Sequence, residues 1–317
     1  MTTPLNRRDV LKGALGAFAL WTSAGVPQAQ QASASRQGAG GQGGVRRLTD
    51  QMTVVDGGGS NVLACSTGDG FVLVDGGAPK SFDRLMASLG ANARVHTLFN
   101  THHHLDQTGN NELFSKGTQG TQIVAHKRAL EWMSADHWIH ADDRYEKARP
   151  KAARPTATFL TTGSLTAGGE QIDYGHLTLA HTSGDIYVHF RKANVLAVGD
   201  VASPLRDPVL DYLTGAWIGG RVDSMDVLLK LANDQTRIVP AYGPVMSKAE
   251  LKAERDVMEE VRKRLFDQVR EGDGPRDMLE RGVLKGLART WNDPYKFLYD
   301  AAKGLWAHHD KLGPNVV

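Results

Sequence analysis

The stretch Thr101-His102-His103-His104-Leu105-Asp106-Gln107 decides how this sequence is interpreted. It directly follows the apolar run at residues 95–100, which is predicted to be a strand. Imidazole and carboxylate groups together bind zinc, iron or manganese. The order His-x-His-x-Asp is more specific than the run of three histidines. The sequence therefore predicts a metal centre in the loop that follows this strand.

Two further metal-binding side chains come at the ends of predicted strands. His181 follows the apolar run at residues 177–180, and Asp200 follows the run at residues 195–198. Side chains that follow successive strands can converge on one edge of a sheet, where α/β proteins place their ligands. These two residues are therefore candidate ligands of the same centre.

Short apolar strands alternate with glycine turns and a few helices between residues 48 and 240. A hairpin is predicted for residues 62–65 and 71–75, because a turn-rich segment joins the two runs. The remaining predicted elements are helices at 79–89 and 224–232 and strands at 122–125, 186–190 and 237–240. This order of strands and helices is typical of an α/β fold in which helices cover two sheets.

Two segments stand apart from that pattern. Residues 131–156 carry Trp132, Trp138 and many charges, and they are interpreted as an insertion over the site. The insertion is either a lid that faces the substrate or a solvated hairpin anchored by its aromatic side chains. Residues 247–317 are predicted to form a helical extension, which begins with a capping box at Ser247 and Glu250 and packs on the rest of the chain.

The composition gives no support for nucleic-acid binding and excludes an intrachain disulfide. The chain has 317 residues, a formal net charge of +2 and 41% hydrophobic residues, so bulk charge gives no indication of nucleic-acid binding. It contains a single cysteine, Cys65, so an intrachain disulfide is impossible. This cysteine is expected to be a small buried core residue.

The N-terminus resembles an export signal. Residues 6–12, Asn-Arg-Arg-Asp-Val-Leu-Lys, precede a short apolar stretch and small residues suited to cleavage. Residues 1–34 are therefore interpreted as a twin-arginine signal peptide, with the twin-arginine export machinery as a partner and the periplasm or the medium as the destination. Residues 35–47 are expected to be a flexible linker. No integral membrane span is expected after cleavage.

Taken together, these motifs resemble the metallo-β-lactamase superfamily. The resemblance rests on the segments Thr101–Asp106, His181–Asp185 and Val198–Asp200, together with residues 74–77 and 238–244 in the same order and spacing. It implies a metallo-β-lactamase-like αββα sandwich, two mixed sheets between helices, for residues 48–246. Residues 247–317 then form the helical C-terminal extension.

The resemblance also implies a set of ligands. His102, His104 and His181 match the residues that hold a first metal ion. Asp106 matches a ligand of a second ion, and Asp200 matches a residue that bridges both ions. His103 is expected to point away from the site and to play a structural part.

Two positions depart from the family pattern. Gln107 and Tyr242 stand where histidines would complete the second site. A neutral amide is a weak ligand, and a phenol must lose its proton to bind well. The expected cofactor is therefore about one Zn²⁺ per chain, with iron as an alternative, and the second site is expected to be weak or empty.

The leading functional hypothesis is a metal-dependent hydrolase that cleaves an ester, lactone, thioester or amide in a small-molecule substrate. Asp106 would orient the attacking water or accept its proton, and Tyr242 would donate to a developing oxyanion or simply fill space. One alternative is a mononuclear iron dioxygenase that uses His102, His181 and Asp200. Another is a non-catalytic binding protein that has kept only the fold.

Overall fold

The computed structural model describes residues 44–117, 120–139 and 144–308. The predicted signal peptide and residues 35–43 of the predicted linker lie outside the described residues. The last part of that linker range contains the first strand, Arg46–Arg47, which pairs with the next strand. Among the helices of the described residues, none is long and apolar enough to cross a membrane.

Two larger sheets and a small one contain the strands of the described residues. The larger sheets are mixed, with strand orders β1-β2-β3-β4-β5-β6-β9 and β10-β11-β12-β13-β14, and β7 pairs with β8. The strands are β1 (Arg46–Arg47), β2 (Met52–Asp56), β3 (Asn61–Ser66), β4 (Phe71–Val74), β5 (Val95–Phe99), β6 (Gln122–His126), β7 (His137–Ile139), β8 (Arg144–Glu146), β9 (Ala157–Phe159), β10 (Thr162–Ala167), β11 (Glu170–His176), β12 (Ile186–Phe190), β13 (Val195–Gly199) and β14 (Arg237–Pro240).

Helices cover the outer faces of both larger sheets, and three apolar clusters join the layers. Side chains such as Phe99 and Phe190 fill the space between the two sheets. Leu85 packs on the outer face of the first sheet, and Met225 and Leu251 pack on that of the second. The helices are α1 (Phe82–Leu89), α2 (Leu105–Thr108), α3 (Asn111–Lys116), α4 (Lys127–Ser134), α5 (Ile218–Leu231), α6 (Lys248–Glu271), α7 (Pro275–Glu280) and α8 (Pro294–Ala307). The predicted αββα sandwich with a helical C-terminal region is confirmed.

The predicted strand at residues 177–180 is wrong. These residues form a turn, and the strand β11 ends at His176. The apolar side chains that suggested a strand, Leu177 and Ala180, are buried in the cluster beneath α5 instead. Because a short apolar run fits any buried backbone, its periodicity alone does not identify a strand.

The described residues of the inserted segment and of the C-terminal extension form regular elements that pack on the fold. Between residues 127 and 153 the described chain forms α4, the ribbon β7–β8 and a short 3-10 turn at Lys151–Ala153. The extension begins at the predicted capping box, where Ser247 accepts from Glu250 N and the Glu250 side chain accepts from Ser247 N. Its helices α6 and α8 pack on α5, so the extension completes the outer helical layer of the second sheet.

Candidate metal centre

The candidate centre lies at the edge where both large sheets end. The histidine stretch follows β5, Asp200 follows β13, and the turn that contains Tyr242 follows β14. Backbone hydrogen bonds join the sheets at this edge, from Ile186 N to Thr101 O at 2.9 Å and from Asn61 N to Ala241 O at 2.7 Å. The strands therefore deliver side chains that are far apart in sequence to one place.

Two buried aspartates fix the loops that carry the histidines. Asp75, at a φ of 66°, accepts from the backbone N–H of Thr101 at 2.8 Å and from its hydroxyl at 2.9 and 3.0 Å. Asp185 accepts from the N–H groups of His181 and Thr182 at 2.6 and 2.8 Å. Each carboxylate replaces the water that these backbone donors would otherwise need, so the loops keep one conformation.

The structure brings His102, His104 and His181 together. One nitrogen from each ring lies within 4.8 Å of the others, and His104 Nδ1 is 3.0 Å from His181 Nε2. The rings of His102 and His181 are buried and meet edge to face, with centroids 4.6 Å apart. This spacing is compatible with three nitrogens that each lie about 2.0–2.1 Å from one zinc ion.

Hydrogen bonds to the opposite ring nitrogens determine which nitrogens face the centre. His181 Nδ1 donates to Val209 O at 2.8 Å, and His104 Nε2 donates to Asp211 at 3.1 Å. Because the Thr101 hydroxyl donates its proton to Asp75, it accepts from His102 Nδ1 at 3.1 Å. The lone pairs of His102 Nε2, His104 Nδ1 and His181 Nε2 therefore point at one another.

Three convergent lone pairs fit a cation. His102 Nε2 is buried and has no hydrogen-bond partner among the described residues. Burial, followed by the neighbouring histidines, holds the pKa of His102 well below its ordinary value of 6.5, so this ring is neutral. Neutral imidazoles whose second nitrogens are held by hydrogen bonds are the usual ligands of a zinc ion.

Asp211 was missed in the sequence, because no motif surrounds it. It lies in the loop between β13 and α5, and its carboxylate accepts from His104 and lies 3.8 Å from His103 Nε2. Burial acts to lower the pKa of His104, but the hydrogen bond and charge of Asp211 outweigh it and raise that pKa. Asp211 is therefore the carboxylate that orients His104, as in many histidine-ligated metal sites.

Replacing Asp211 with asparagine is expected to lower metal affinity by about 10- to 100-fold, because His104 loses the anion that orients it. The measurement is zinc binding in competition with a chelator. The Asp226→Asn variant is the matched control, because Asp226 is held by Arg255 at 2.8 Å on the outer helices. Equal zinc affinity in the two variants would contradict the role assigned to Asp211.

His103 lies beside the centre rather than in its ligand triad. It is buried, and its ring lies 5.2 Å from that of Trp132 on α4. Burial holds the pKa of His103 well below its ordinary value. Its nitrogen is nevertheless close to Asp211, so the structure also groups His103, His104 and Asp211 as possible ligands. The expectation that His103 plays a structural part stays a prediction.

An arginine lies where the second metal ion of a two-metal site would be expected. Arg206 Nη2 donates to both carboxylate oxygens of Asp200 at 2.8 Å and lies 4.0 Å from Asp106 Oδ2. Its guanidinium carbon lies 3.4 Å from the centre of the Tyr242 ring. The sequence contains no pattern that marks this arginine as part of the site.

Tyr242 and Asp106 interact directly with each other. The Tyr242 hydroxyl donates to Asp106 Oδ2. Burial, followed by this hydrogen bond, raises the pKa of Tyr242 above its ordinary value of 10, so the phenol keeps its proton. Tyr242 is therefore a donor that orients Asp106 and is not suited to bind a metal as a phenolate.

Gln107 is fully buried, and neither atom of its amide has a hydrogen-bond partner among the described residues. Its backbone carbonyl accepts from Gly76 N at 2.7 Å, so the chain itself is fixed at this point. Together with the protonated Tyr242 and the paired Asp200, this leaves the second site without a full set of strong ligands. The residues present do not fit a second metal ion.

Comparison with known proteins places the chain in a family. A family model for the metallo-beta-lactamase superfamily matches residues 55–243, which is more than half of the chain. The chain belongs to the metallo-beta-lactamase superfamily. Its match includes the histidine stretch, His181, Asp200 and Tyr242. Membership and the histidine cluster together support a divalent metal ion at this centre.

Solved structures share the fold of this chain at low identity. A metallo-beta-lactamase from Pontibacter korlensis is 20% identical with a TM-score of 0.56, and the match covers 69% of this chain and 99% of that one. The stereoselective inverting sec-alkylsulfatase Pisa1 from Pseudomonas sp. is 12% identical with a TM-score of 0.61, and the match covers 86% of this chain and 50% of that one. A search of curated proteins finds no match.

A cavity of about 390 Å³ opens beside the histidines of this metallo-beta-lactamase-superfamily protein. His104 and Asp211 lie on its wall. The inserted segment contributes Trp132 and Ile139, the loop before α5 contributes Leu213, and α8 contributes Tyr295, Lys296 and Tyr299. The C-terminal extension therefore does more than pack on the fold, because it forms one side of the cavity at the candidate centre.

Proposed function

We propose that this protein is a hydrolase that uses one metal ion. The observation that carries the proposal is the convergence of three imidazole nitrogens, each fixed by a hydrogen bond at the opposite nitrogen of its ring. Three histidine ligands leave a position open for water, as in catalytic zinc sites. Zinc is the metal that this donor set favours.

A zinc ion bound there would supply a water whose pKa falls to about 7. The residues of the chain then carry the proton and the charge. Asp106 is the partly exposed carboxylate at the site, and it accepts the proton of the attacking water. Tyr242 donates to Asp106 and holds it in one orientation. Arg206 lies within 4.0 Å of Asp106 and 2.8 Å of Asp200 and supplies a positive charge to both carboxylates.

The cavity supports a class of substrate. Its aromatic and aliphatic side chains suit a substrate with an apolar group of moderate size, and the candidate ligand His104 is one of the residues that line it. The bond cleaved is that of an ester, lactone, thioester or amide, whose carbonyl carbon accepts an attacking water. Small carboxylic esters with an aryl or branched alkyl group are the first substrates to examine.

An iron dioxygenase receives less support. That reaction would use His102, His181 and Asp200, and the Asp200 carboxylate does lie 3.8 and 3.7 Å from the two histidine nitrogens. Both of its oxygens, however, are already bound by Arg206. A carboxylate that is engaged in this way is a poor ligand, so a site of three histidines describes the geometry better.

The test of the proposal is reconstitution with single metals. Metal-free mature protein is assayed against a panel of aryl and alkyl esters, lactones and thioesters after the addition of one equivalent of Zn²⁺ or Fe²⁺. We expect hydrolysis to return with Zn²⁺ in the absence of oxygen. Hydrolysis that is unchanged by metal removal, or oxygen consumption that depends on Fe²⁺, would overturn the proposal.

A further inference from the structure

Arg206 contacts three of the residues that the family resemblance assigns to the second metal site. It binds both oxygens of Asp200, lies within 4.0 Å of Asp106 and stacks over Tyr242. We propose that the Arg206 guanidinium permanently replaces the second metal ion, because it occupies that position and balances the charge of Asp106 and Asp200. It excludes a second cation and keeps the two carboxylates in place for a reaction at a single metal ion.

Charge balance explains why a cation is needed at this position. Asp200 is only 3% exposed, and both it and the partly exposed Asp106 lie within 4.0 Å of Arg206. Burial of carboxylates without a compensating positive charge is strongly unfavourable. Arg206 supplies one positive charge and directional donors, whereas a metal ion would supply two charges and demand several strong ligands.

The position of Arg206 is built into the fold from several sides. The fully buried Arg221 on α5 donates to Asp200 O at 2.8 Å, and Arg289 of the C-terminal extension donates to Ser203 O at 2.7 Å and to the carbonyl of Arg206 itself. The Asp207 carboxylate accepts from the backbone N–H groups of residues 292 and 293, at 2.9 and 2.7 Å respectively. The extension therefore anchors the loop that carries the guanidinium.

The turn that contains Tyr242 approaches the same loop closely. Gly243 has a φ of +95°, and a Cβ at this position would lie 3.0 Å from the Cβ of Leu205. A glycine here lets the two loops pack against each other, so the Tyr242 ring lies under the guanidinium. An ordinary surface ion pair has no such support, and its side chains would be free to separate.

The test is zinc titration of the metal-free protein, which requires no substrate. We expect wild type and Arg206→Lys to bind one Zn²⁺ per chain. Arg206→Ala is expected to bind a second Zn²⁺ more weakly than the first, because it leaves two uncompensated carboxylates but adds no imidazole ligand. Arg191→Ala is the matched control, because Arg191 pairs with Asp173 at 3.7 Å on the surface. It is expected to behave like wild type.

Guanidinium chloride at millimolar concentration provides a second measurement on the same proteins. In Arg206→Ala, free guanidinium is expected to compete with the second Zn²⁺ and leave the first one bound, whereas sodium chloride at the same concentration does not. Retention of the first Zn²⁺ shows that the variant is folded. A single Zn²⁺ in Arg206→Ala, or two in wild type, would overturn the inference.

The catalytic part of the inference rests on the proposed function and is tested separately. If wild type hydrolyses an ester, Arg206→Ala is expected to lose most of its kcat and to regain it with guanidinium. A full kcat without guanidinium would overturn the catalytic part. Because the zinc count is independent of any substrate, a failure to find hydrolysis would refute the proposed function and leave the zinc result to decide the role of Arg206.

Discussion

Replacing His181 with alanine is expected to abolish tight metal binding at the proposed centre and to lower the proposed hydrolysis by about 1,000-fold or more. His181 is buried, and its Nε2 faces both His102 and His104. With two imidazoles left, the centre keeps only two of its three histidine ligands. A metal ion would then bind weakly, and little metal-bound water would be available for the attack. Metal content per chain and kcat/KM of the same preparation check this expectation.

A histidine outside the centre provides the matched control. His96 lies on β5, the strand that leads into the site, and its ring contacts the Thr67 hydroxyl at 3.0 Å. His96→Ala is expected to keep about one metal ion per chain and full activity. If His181→Ala retains its metal ion and its activity, the centre of three histidines is wrong and hydrolysis must occur elsewhere.

A tightly held second metal ion is expected to require three substitutions, because Arg206→Ala alone frees two carboxylates but adds no imidazole ligand. From the sequence, Gln107→His with Tyr242→His should be sufficient, because two imidazoles would join Asp106 and Asp200. In the structure, Arg206 still occupies the space between those carboxylates. The double variant is therefore expected to hold about one Zn²⁺ per chain, and the addition of Arg206→Ala is expected to raise the count to two.

Metal analysis after dialysis against a weak chelator measures both variants. The triple variant should retain its second ion at least about 100-fold more tightly than the double variant, since the guanidinium no longer competes for Asp200. Two tightly held ions in the double variant would mean that Arg206 moves aside easily. Its ion pair would then be an ordinary contact rather than a replacement for the metal ion.

Short-range patterns explain what could be predicted about the fold. The hairpin of β3 and β4, the strand β5 and the capped start of α6 were predicted close to their observed bounds, because each depends on neighbouring residues. The turn at residues 177–180 was predicted as a strand, and the strands β10 and β11 were not predicted. The sequences of β10 and β11 alternate only weakly between apolar and polar residues. Which strands they pair with is decided by the sheet as a whole.

The amino-acid sequence by itself indicated the family, the αββα fold and the three histidines, because each depends on short contiguous motifs, although His181 follows a turn rather than the predicted strand. Only the tertiary structure decided the roles of Arg206 and Asp211. Arg206 meets Asp106 from a position 100 residues further along the chain, and Asp211 meets His104 across a separation of 107 residues. An arginine in a loop carries no local signal of its partners, since long-range packing of β13, β14 and the C-terminal extension determines what its charge contacts.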